Sequence, residues 1–305
     1  MSGEELLRLA GSRATRHAPF GSRTTYRVGG TSFMFLDIAS LDDLLELGVA
    51  LSQCGLPVCS LGNGSNLLVA DGEFPGVVVK LGEAFRSLVF TGDESVTVHA
   101  GAALDLPVAA RRLSDQGIVG FEWAVGVPGT FGGAVVMNAG GHGGDMAASV
   151  TGVRLWSVPA ARVIERTGKE LQFGYRHSSV SHEEIVLDVT MQLRRGDALA
   201  SKGQLKEIVR WRREHQPGGA NAGSVFRNPV ANSAGQLIDA AGLKGYRVGG
   251  AHVSEKHANF IQVDEGARAS DVRELMAYVA TTVEAVTGVR LESEVRTVGF
   301  SSEDA

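Results

Sequence analysis

One serine of the chain stands where it could do chemistry, in the segment Asn-Ala-Gly-Ser-Val-Phe-Arg-Asn-Pro at 221–229. The glycine before Ser224 lets the backbone come close to a ligand, and the Asn-Pro pair makes the chain extend or turn. A serine in this setting is a nucleophile, a proton donor or a turn residue. A nucleophile needs a base and usually the exposed elbow Gly-x-Ser-x-Gly, which is missing here, so hydrolase chemistry is disfavoured.

Three glycine-rich loops precede this serine, at 61–66, 126–133 and 138–144. Successive small residues can aim several backbone N–H groups at a phosphate. The first loop taken alone is read as a tight hairpin, because Asn-Gly is a strong hairpin signal. Three such loops together favour a large phosphate-bearing cofactor. Since none has the P-loop or the Gly-x-Gly-x-x-Gly spacing, the sequence predicts a cofactor fold other than these two.

Two charged segments could face a ligand. The guanidinium of Arg176 suits bidentate capture of a carboxylate or phosphate, although a lone arginine is more often a surface residue with a packed stem. The segment 291–296 alternates like a strand, which would place its two glutamates and Arg296 on one face. Such a face is usually solvated, and two acids on one face of one strand fit a paired-carboxylate glycosidase poorly.

Composition and spacing exclude several classes of protein. Of 305 residues 40 are glycine, which predicts many tight turns, and the net charge of −5 argues against nucleic acid as the main partner. Cys54 and Cys59 are expected to be free thiols in a reducing compartment. The histidines and cysteines have no metal-site spacing. Without a signal peptide or a long apolar run, the chain is expected to be cytoplasmic, without a membrane partner.

These segments need a framework of helices and strands to position them. Ser40 and Asp43 form a capping box for a helix ending at Gly55, and a long helix is predicted from a Ser270 cap to Thr287. Other helices are predicted at 106–116, 202–215 and 236–241, and strands at 57–61, 67–70, 76–81, 95–100, 150–158 and 185–193. The composition changes near residue 200, where we place a domain boundary.

In order and spacing, seven segments resemble the UDP-N-acetylenolpyruvoylglucosamine reductases, flavoenzymes of bacterial cell-wall precursor synthesis. The resemblance runs from about Thr25 to Gly299. Its segments are Tyr-Arg-Val-Gly-Gly (26–30), Leu-Gly-Asn-Gly-Ser-Asn (61–66), Gly-Val-Pro-Gly-Thr-Phe-Gly-Gly (126–133), Tyr-Arg-x-Ser (175–178), Gly-Ser-Val-Phe-Arg-Asn-Pro (223–229), Gly-Gly-Ala-His-Val-Ser-Glu-Lys-His-Ala-Asn-Phe (249–260) and Glu-Val-Arg (294–296). Each is weak alone, and together they are specific.

The resemblance implies an α+β fold: a vanillyl-alcohol-oxidase-type FAD-binding region at 1–200, with subdomains at about 1–82 and 83–200, then an α+β substrate-binding domain at 201–305. It implies that NADPH reduces FAD and leaves. UDP-N-acetylglucosamine enolpyruvate then binds, receives a hydride from flavin N5 at C3 and a proton at C2, and becomes UDP-N-acetylmuramate. The partner is thus a small-molecule substrate, and we expect a monomer.

The resemblance also implies roles for individual residues. Ser224 corresponds to the proton donor, and Arg176 and Glu294 to the groups that stabilise negative charge on the substrate carboxylate. Substrate contacts are expected from Tyr175, Asn228 and Lys256. The cofactor-binding residues implied are Gly62, Asn63, Gly64, Ser65, Asn66, Pro128, Gly129, Thr130, Gly132 and Gly133.

The chain departs from the family pattern at two places. The third glycine loop carries His142 where relatives often have Ala-Tyr-Gly, and no inserted loop brings a tyrosine over the substrate, so this is the short form. Two alternatives stay open: a flavin oxidase on the same scaffold, and a flavin or nucleotide-sugar binding protein without turnover. The oxidase reading leaves Ser224 without a carbanion to protonate.

Overall fold

A computed structural model describes residues 1–300, which form seven helices and seventeen strands. The mixture agrees with the predicted α+β class. The helices are α1 Gly3–Ala10, α2 Leu41–Gln53, α3 Leu106–Asp115, α4 Phe131–Met137, α5 Ala198–His215, α6 Ala234–Ala240 and α7 Ala269–Thr287.

The strands are short, apart from β13. They are β1 Ala14–Pro19, β2 Thr31–Ile38, β3 Val58–Ser60, β4 Leu67–Val69, β5 Phe74–Leu81, β6 Leu88–Thr91, β7 Ser95–Gly101, β8 Ile118–Val119, β9 Gly140–Gly141, β10 Gly144–Asp145, β11 Val150–Ser157, β12 Arg162–Thr167, β13 Glu184–Arg195, β14 Arg247–Val248, β15 Ala251–Val253, β16 Ile261–Val263 and β17 Arg296–Val298. The sheet orders are β1-β2-β5-β3, β12-β11-β13-β7-β6 with β8 beside β13, β14-β15-β16, β17-β4 and β10-β9.

The chain divides into two compact units that are not contiguous in sequence. Unit 1 contains 1–16, 34–63 and 76–212, and unit 2 contains 17–33, 64–75 and the chain from Arg213 onward. The sequence predicted contiguous domains with a break near 200, and no composition change marks the two early segments of unit 2. Their assignment rests on non-local pairing: β4, from the first quarter of the chain, pairs in parallel with β17 near its end.

Unit 1 is built around the antiparallel sheet that contains β7, β11 and β13. Its inward residues are fully buried, as Val98 on β7 and Val189 on β13 show. The helix α2 approaches closely, because a Cβ added to Gly48 would lie 2.0 Å from a ring carbon of Trp156 on β11. Only glycine therefore permits this contact between helix and sheet.

Unit 2 has its own apolar core, formed against α7. Val272, Leu275, Val279 and Val283 of that helix are buried. The same core takes in Tyr26, Leu68, Val225, Phe226, Ile238, Ala251, Val253, Leu291 and Val295. Val225 and Phe226, which follow Ser224, and Val295, which follows Glu294, are thus anchored in one core, which fixes the backbone from which those two side chains extend.

Several local expectations are confirmed and others are wrong. The capping box of Ser40 and Asp43 is present on α2. The hairpin expected at Asn63-Gly64 is absent from the described residues, because β3 pairs with β5 and β4 with β17. The strand expected at 291–296 is replaced by an isolated bridge at Ser293 and by β17, which begins at Arg296.

Helix ends and faces also differ from the expectation in places. The N-cap of α7 is Arg268, not Ser270. Val209 of α5 and Val286 of α7, whose helical spacing predicts inner faces, are instead 43% and 63% exposed. Within residues 1–300 no helix has the length and apolarity to cross a membrane, and no cluster of His, Cys, Asp or Glu suits a metal ion.

Candidate active site

The first and second glycine loops meet within unit 1. A Cβ added to Gly62 would lie 2.5 Å from Oγ1 of Thr130, so the Gly62 backbone packs closely against the Thr130 side chain. Asn63 Nδ2 donates to Asp105 Oδ1 at 2.5 Å, and the amide of Leu106 donates to the Gly129 carbonyl at 3.0 Å. This network fixes the two loops side by side.

Some backbone amides in these loops donate to an acceptor within the protein, and others have no acceptor within residues 1–300. Phe131 N donates to the Leu104 carbonyl at 3.1 Å and Gly132 N to the Ala102 carbonyl at 2.9 Å, so the start of α4 is already paired. Within residues 1–300 no acceptor is found for the amides of Gly62, Asn63, Gly129 and Thr130. Unpaired amides on glycine-rich chain are donors for an anion.

The third glycine loop is the β9–β10 hairpin, and Arg176 lies beside it in unit 1. His142 and Gly143 at its tip have positive φ values of 49° and 85°. Arg176 Nη2 donates to the Gly140 carbonyl at 3.0 Å, and its guanidinium carbon lies 5.3 Å from the ring centroid of Tyr175. Arg176 itself has a φ of 55°, a conformation that costs free energy in a non-glycine residue.

The second and third loops lie at the two ends of α4. Asn138 follows α4 in the left-handed conformation, and its side chain donates to the Gly174 carbonyl at 3.0 Å. Ser178 Oγ donates to the Val136 carbonyl at 3.0 Å. These two contacts tie the strand-like turn that carries Arg176 to the end of α4. Within unit 1, the position of Arg176 is therefore fixed relative to the second and third glycine loops.

One guanidinium near these loops lacks a described partner. Arg212 on α5 packs against Gly126, whose added Cβ would lie 3.2 Å from the Arg212 Cδ. Burial lowers the pKa of Arg212, and neither a hydrogen bond nor an ion pair to it is found within residues 1–300. Burial and the charge of Arg212 lower the pKa of His142, whose ring contacts Trp211 edge-on at 5.1 Å. A desolvated cation of this kind favours a bound anion.

In unit 2, Ser224 and Glu294 are brought together by the backbone. Glu294 N donates to the Val225 carbonyl at 2.7 Å, Arg227 N donates to the Glu292 carbonyl at 2.9 Å, and Phe226 forms a bridge with Ser293. Gly223, with a φ of 77°, turns the chain just before Ser224. Glu294 thus lies opposite Val225, the residue that follows Ser224, and the side chains of Ser224 and Glu294 are both half-buried.

Asn66 belongs to the same arrangement in unit 2. Its Nδ2 donates to the Glu294 carbonyl at 3.0 Å, and its own carbonyl accepts from Arg296 N at 3.0 Å. The side chain of Asn66 therefore supports Glu294. Gly64, Ser65 and Asn66 have no acceptor for their amides within residues 1–300, so backbone donation to a ligand remains available to them.

Two residues expected to contact substrate make structural contacts. Asn228 Oδ1 accepts from the amide of Ala234 at 3.0 Å, which satisfies the first residue of α6. Lys256 Nζ donates to the Arg213 carbonyl at 2.5 Å, in the last turn of α5, where a cation also complements the helix dipole. Their role toward substrate stays a prediction.

The geometry also shows residues that sequence reasoning did not assign. Asn259 is 3% exposed and hydrogen-bonds the segment after Ser224, and Asp105 holds Asn63. Asn259 lies within the quoted 249–260 motif, so an asparagine among apolar neighbours was the available signal. Asp105 follows a strand and precedes a proline-containing helix start, a pattern that is too common to single it out.

Similarity to known proteins now decides the family. Residues 34–166 match the model of an FAD binding domain, and residues 215–298 match the model of the UDP-N-acetylenolpyruvoylglucosamine reductase C-terminal domain. The UDP-N-acetylenolpyruvoylglucosamine reductase of Anoxybacillus flavithermus is 40% identical over 299 residues, 97% of this chain and 98% of that protein. The chain belongs to the UDP-N-acetylenolpyruvoylglucosamine reductase family.

Other relatives in this reductase family agree. The reductase of Heliobacterium modesticaldum is 44% identical over 93% of this chain and 90% of its own. The crystal structure of the Thermus caldophilus reductase matches with a TM-score of 0.81 and 34% identity, over 94% of this chain and 99% of that one. The chain is accordingly an FAD-dependent oxidoreductase of this family, as the resemblance implied.

The residues of unit 1 fit FAD. The dinucleotide carries a pyrophosphate, whose oxygens accept hydrogen bonds. The unpaired backbone amides of the first and second loops are suitable donors for those bonds. The desolvated guanidinium of Arg212 adds a positive charge beside the second loop. The same unit contains the whole 34–166 match except for 64–75.

Proposed function

We propose that this protein reduces UDP-N-acetylglucosamine enolpyruvate to UDP-N-acetylmuramate in peptidoglycan precursor synthesis, with NADPH as the electron donor. The observation that carries the proposal is the hydrogen bond in unit 2 from the Glu294 N–H to the carbonyl of Val225, the residue that follows Ser224, at 2.7 Å. This pairing holds an acid–base hydroxyl and a carboxyl on one framework. Membership in the family supplies the substrate to which that pair is suited.

When bound, FAD would be held by the loops that contain Gly62, Asn63, Gly129 and Thr130, and it would supply the hydride chemistry by which electrons of NADPH reach C3 of the enolpyruvyl group. The hydroxyl of Ser224 then donates its proton to C2, and solvent restores it. A serine hydroxyl is a weak acid, and it serves here because the carbon that it protonates is strongly basic. The product gains one hydride and one proton, which balances the reduction of the double bond.

Arg176 and Glu294 act on the charge that hydride addition pushes onto the substrate carboxylate. Such charge is stabilised best by donors already in place. Arg176 has its guanidinium fixed at the Gly140 carbonyl, with further donors on the same planar group. Glu294 helps only if it is protonated or hydrogen-bonding, since a bare ionised side chain would repel the carboxylate.

The remaining assignments complete the proposal. Unit 1 holds FAD through Gly62 and Asn63 and through Pro128, Gly129, Thr130, Gly132 and Gly133. Gly64, Ser65 and Asn66 contribute backbone amides. Tyr175, Asn228 and Lys256 contact the sugar nucleotide. The division into an FAD-binding region and a C-terminal substrate domain, the cytoplasmic location and the monomeric state stay predictions.

The test is anaerobic flavin spectroscopy on the purified protein. We expect a yellow protein whose flavin absorbance is bleached by NADPH and returns on addition of the enolpyruvyl sugar nucleotide. Return with air alone, at a rate that the substrate does not increase, would indicate a flavin oxidase. A protein that binds FAD and sugar nucleotide without any bleaching would be a binding protein, and the proposal would be wrong.

A further inference from the structure

Asn259 is a buried asparagine that hydrogen-bonds the segment after Ser224 at three points, all within unit 2. Its Oδ1 accepts from Phe226 N at 3.0 Å and its Nδ2 donates to the Phe226 carbonyl at 2.8 Å. Its backbone carbonyl accepts from Val225 N at 2.8 Å. The side chain is 3% exposed, so these bonds form away from bulk water.

The side-chain amide of Asn259 imitates a neighbouring strand. One donor and one acceptor, presented side by side, satisfy both polar groups of the Phe226 backbone, and only one orientation of the amide does so. A buried N–H or carbonyl that is left unpaired destabilises the fold, because it has lost its hydrogen bond to water and gained none in return. Aspartate lacks the donor, and alanine lacks both groups, so asparagine is required chemically at this position.

The segment 225–227 is thus hydrogen-bonded on two opposite sides. One side is Asn259, and the other is the chain 292–294, through Glu294 N to Val225 and Arg227 N to Glu292. Asn259 is itself fixed, because its backbone N–H donates to His257 Nδ1 at 3.2 Å. Removing the Asn259 side chain would leave the N–H and the carbonyl of Phe226, two residues from Ser224, without these partners, and only the backbone bond from Val225 N would remain on that side.

We propose that Asn259 is a positioning residue for the proton transfer, which aligns Ser224 with Glu294 and touches neither FAD nor substrate. The inference rests on the proposed function. A misplacement of about 1 Å in a reacting group can cost about 100-fold in rate. The half-reaction that uses Ser224 should therefore suffer, while reduction of the flavin by NADPH, which needs no proton from Ser224, should not.

The experiment compares Asn259→Ala, Asn259→Asp and wild type by anaerobic stopped-flow flavin absorbance. For Asn259→Ala we expect reoxidation by the enolpyruvyl sugar nucleotide to slow about 100-fold, with NADPH reduction within about twofold of wild type. Asn259→Asp keeps the acceptor for Phe226 N, so its reoxidation rate should lie between those of Asn259→Ala and wild type. The solvent deuterium isotope effect on reoxidation should rise in both variants, because proton delivery limits them more than wild type.

Two further variants separate the possible failures. Val283→Ala empties part of the same core at a fully buried position on α7 and should lower the melting temperature without changing the ratio of the half-reactions. Equal slowing of both half-reactions in the Asn259 variants, or wild-type reoxidation, overturns the inference. Ser224→Ala, measured in parallel, tests the proposed function. Normal reoxidation of Ser224→Ala overturns both the proposed function and the positioning role of Asn259. Stalled reoxidation of Ser224→Ala together with normal reoxidation of the Asn259 variants overturns the positioning role alone.

Discussion

At the scale of single residues, the account depends on side chains whose orientation is fixed before substrate arrives. Arg176 shows this most directly. Its backbone adopts a φ of 55°, and its Nη2 is committed to the Gly140 carbonyl at 3.0 Å. Strained backbone of this sort persists only where the surroundings enforce it and is concentrated at functional sites. The guanidinium is therefore fixed in position before the substrate binds.

We expect Arg176→Ala to slow flavin reoxidation by the sugar nucleotide about 100- to 1000-fold, the usual loss for one charge-stabilising donor. NADPH reduction should be spared, because the charge that Arg176 opposes arises only in the second half-reaction. Arg176→Lys keeps the charge without the planar fork and should lose less. The matched control is Arg154→Ala, since Arg154 on β11 forms an ion pair with Asp188 on the neighbouring strand β13. A loss confined to NADPH reduction would contradict the assignment.

At the scale of elements, sequence predicts what is local and misses what comes from far along the chain. The α2 capping box was readable because Ser40 and Asp43 are three residues apart. The cap of α7 was not: Asp71 accepts from Ala269 N at 2.8 Å and from Ser270 N at 3.0 Å, almost 200 residues later. The hairpin predicted at Asn63-Gly64 is wrong for the same reason, because β3 pairs with β5 and β4 pairs with β17 instead of with each other.

The same limit applies to the site. The glycine loops, Ser224, Arg176 and Glu294 could be singled out from their segments and from the family resemblance. The supporting contacts of Asn66 and Asn259 could not, because an asparagine in a sequence does not show which backbone it will meet. Nor could the structural use of Asn228 and Lys256, which depends on where α5 and α6 begin and end.

The non-local cap of α7 is testable. Burial raises the pKa of Asp71, but the amides of Ala269 and Ser270 and the charge of Arg268 lower it, and the net pKa is lowered. Asp71→Ala should reduce the free energy of unfolding by about 1 kcal/mol, the usual worth of a cap. Because the folded pKa is lowered, wild type has this stabilisation above the unfolded pKa and loses it as pH falls through the folded pKa.

Denaturant unfolding of wild type, Asp71→Ala and Asp71→Asn at neutral and acidic pH measures this effect. Asparagine keeps an acceptor oxygen and should retain part of the cap. The difference between wild type and Asp71→Ala should shrink in acid. An unchanged difference at pH 7 and pH 3 would show that the carboxylate does not carry the stabilisation.

At the scale of the whole molecule, histidines whose pKa is lowered by partial burial make stability depend on pH. Burial lowers the pKa of His257, its own backbone contact raises it, and Lys244 and His215 lower it further; the net pKa is lowered. The unfolded chain then binds a proton more readily than the folded one as pH falls below about 6.5. Protonation would also remove the acceptor that His257 Nδ1 offers to Asn259 N.

We therefore expect the free energy of unfolding to fall as pH decreases from about 7 through the folded pKa of His257, by about 1.4 kcal/mol for each unit between folded and unfolded pKa. His257→Gln should flatten this dependence, leaving the part due to His142, and the exposed His182→Gln should follow wild type. Thermal melts from pH 7.5 to pH 5 provide the measurement. A slope unaltered by His257→Gln would refute the attribution.

The central claim is that Ser224 supplies the proton that completes reduction of the enolpyruvyl sugar nucleotide. Sequential-mixing stopped flow on Ser224→Ala tests it most directly, with NADPH added first and substrate second. The account predicts bleaching by NADPH at close to the wild-type rate, followed by reoxidation slowed by several orders of magnitude. Reoxidation of Ser224→Ala at the wild-type rate, or equal slowing of both steps, would contradict it.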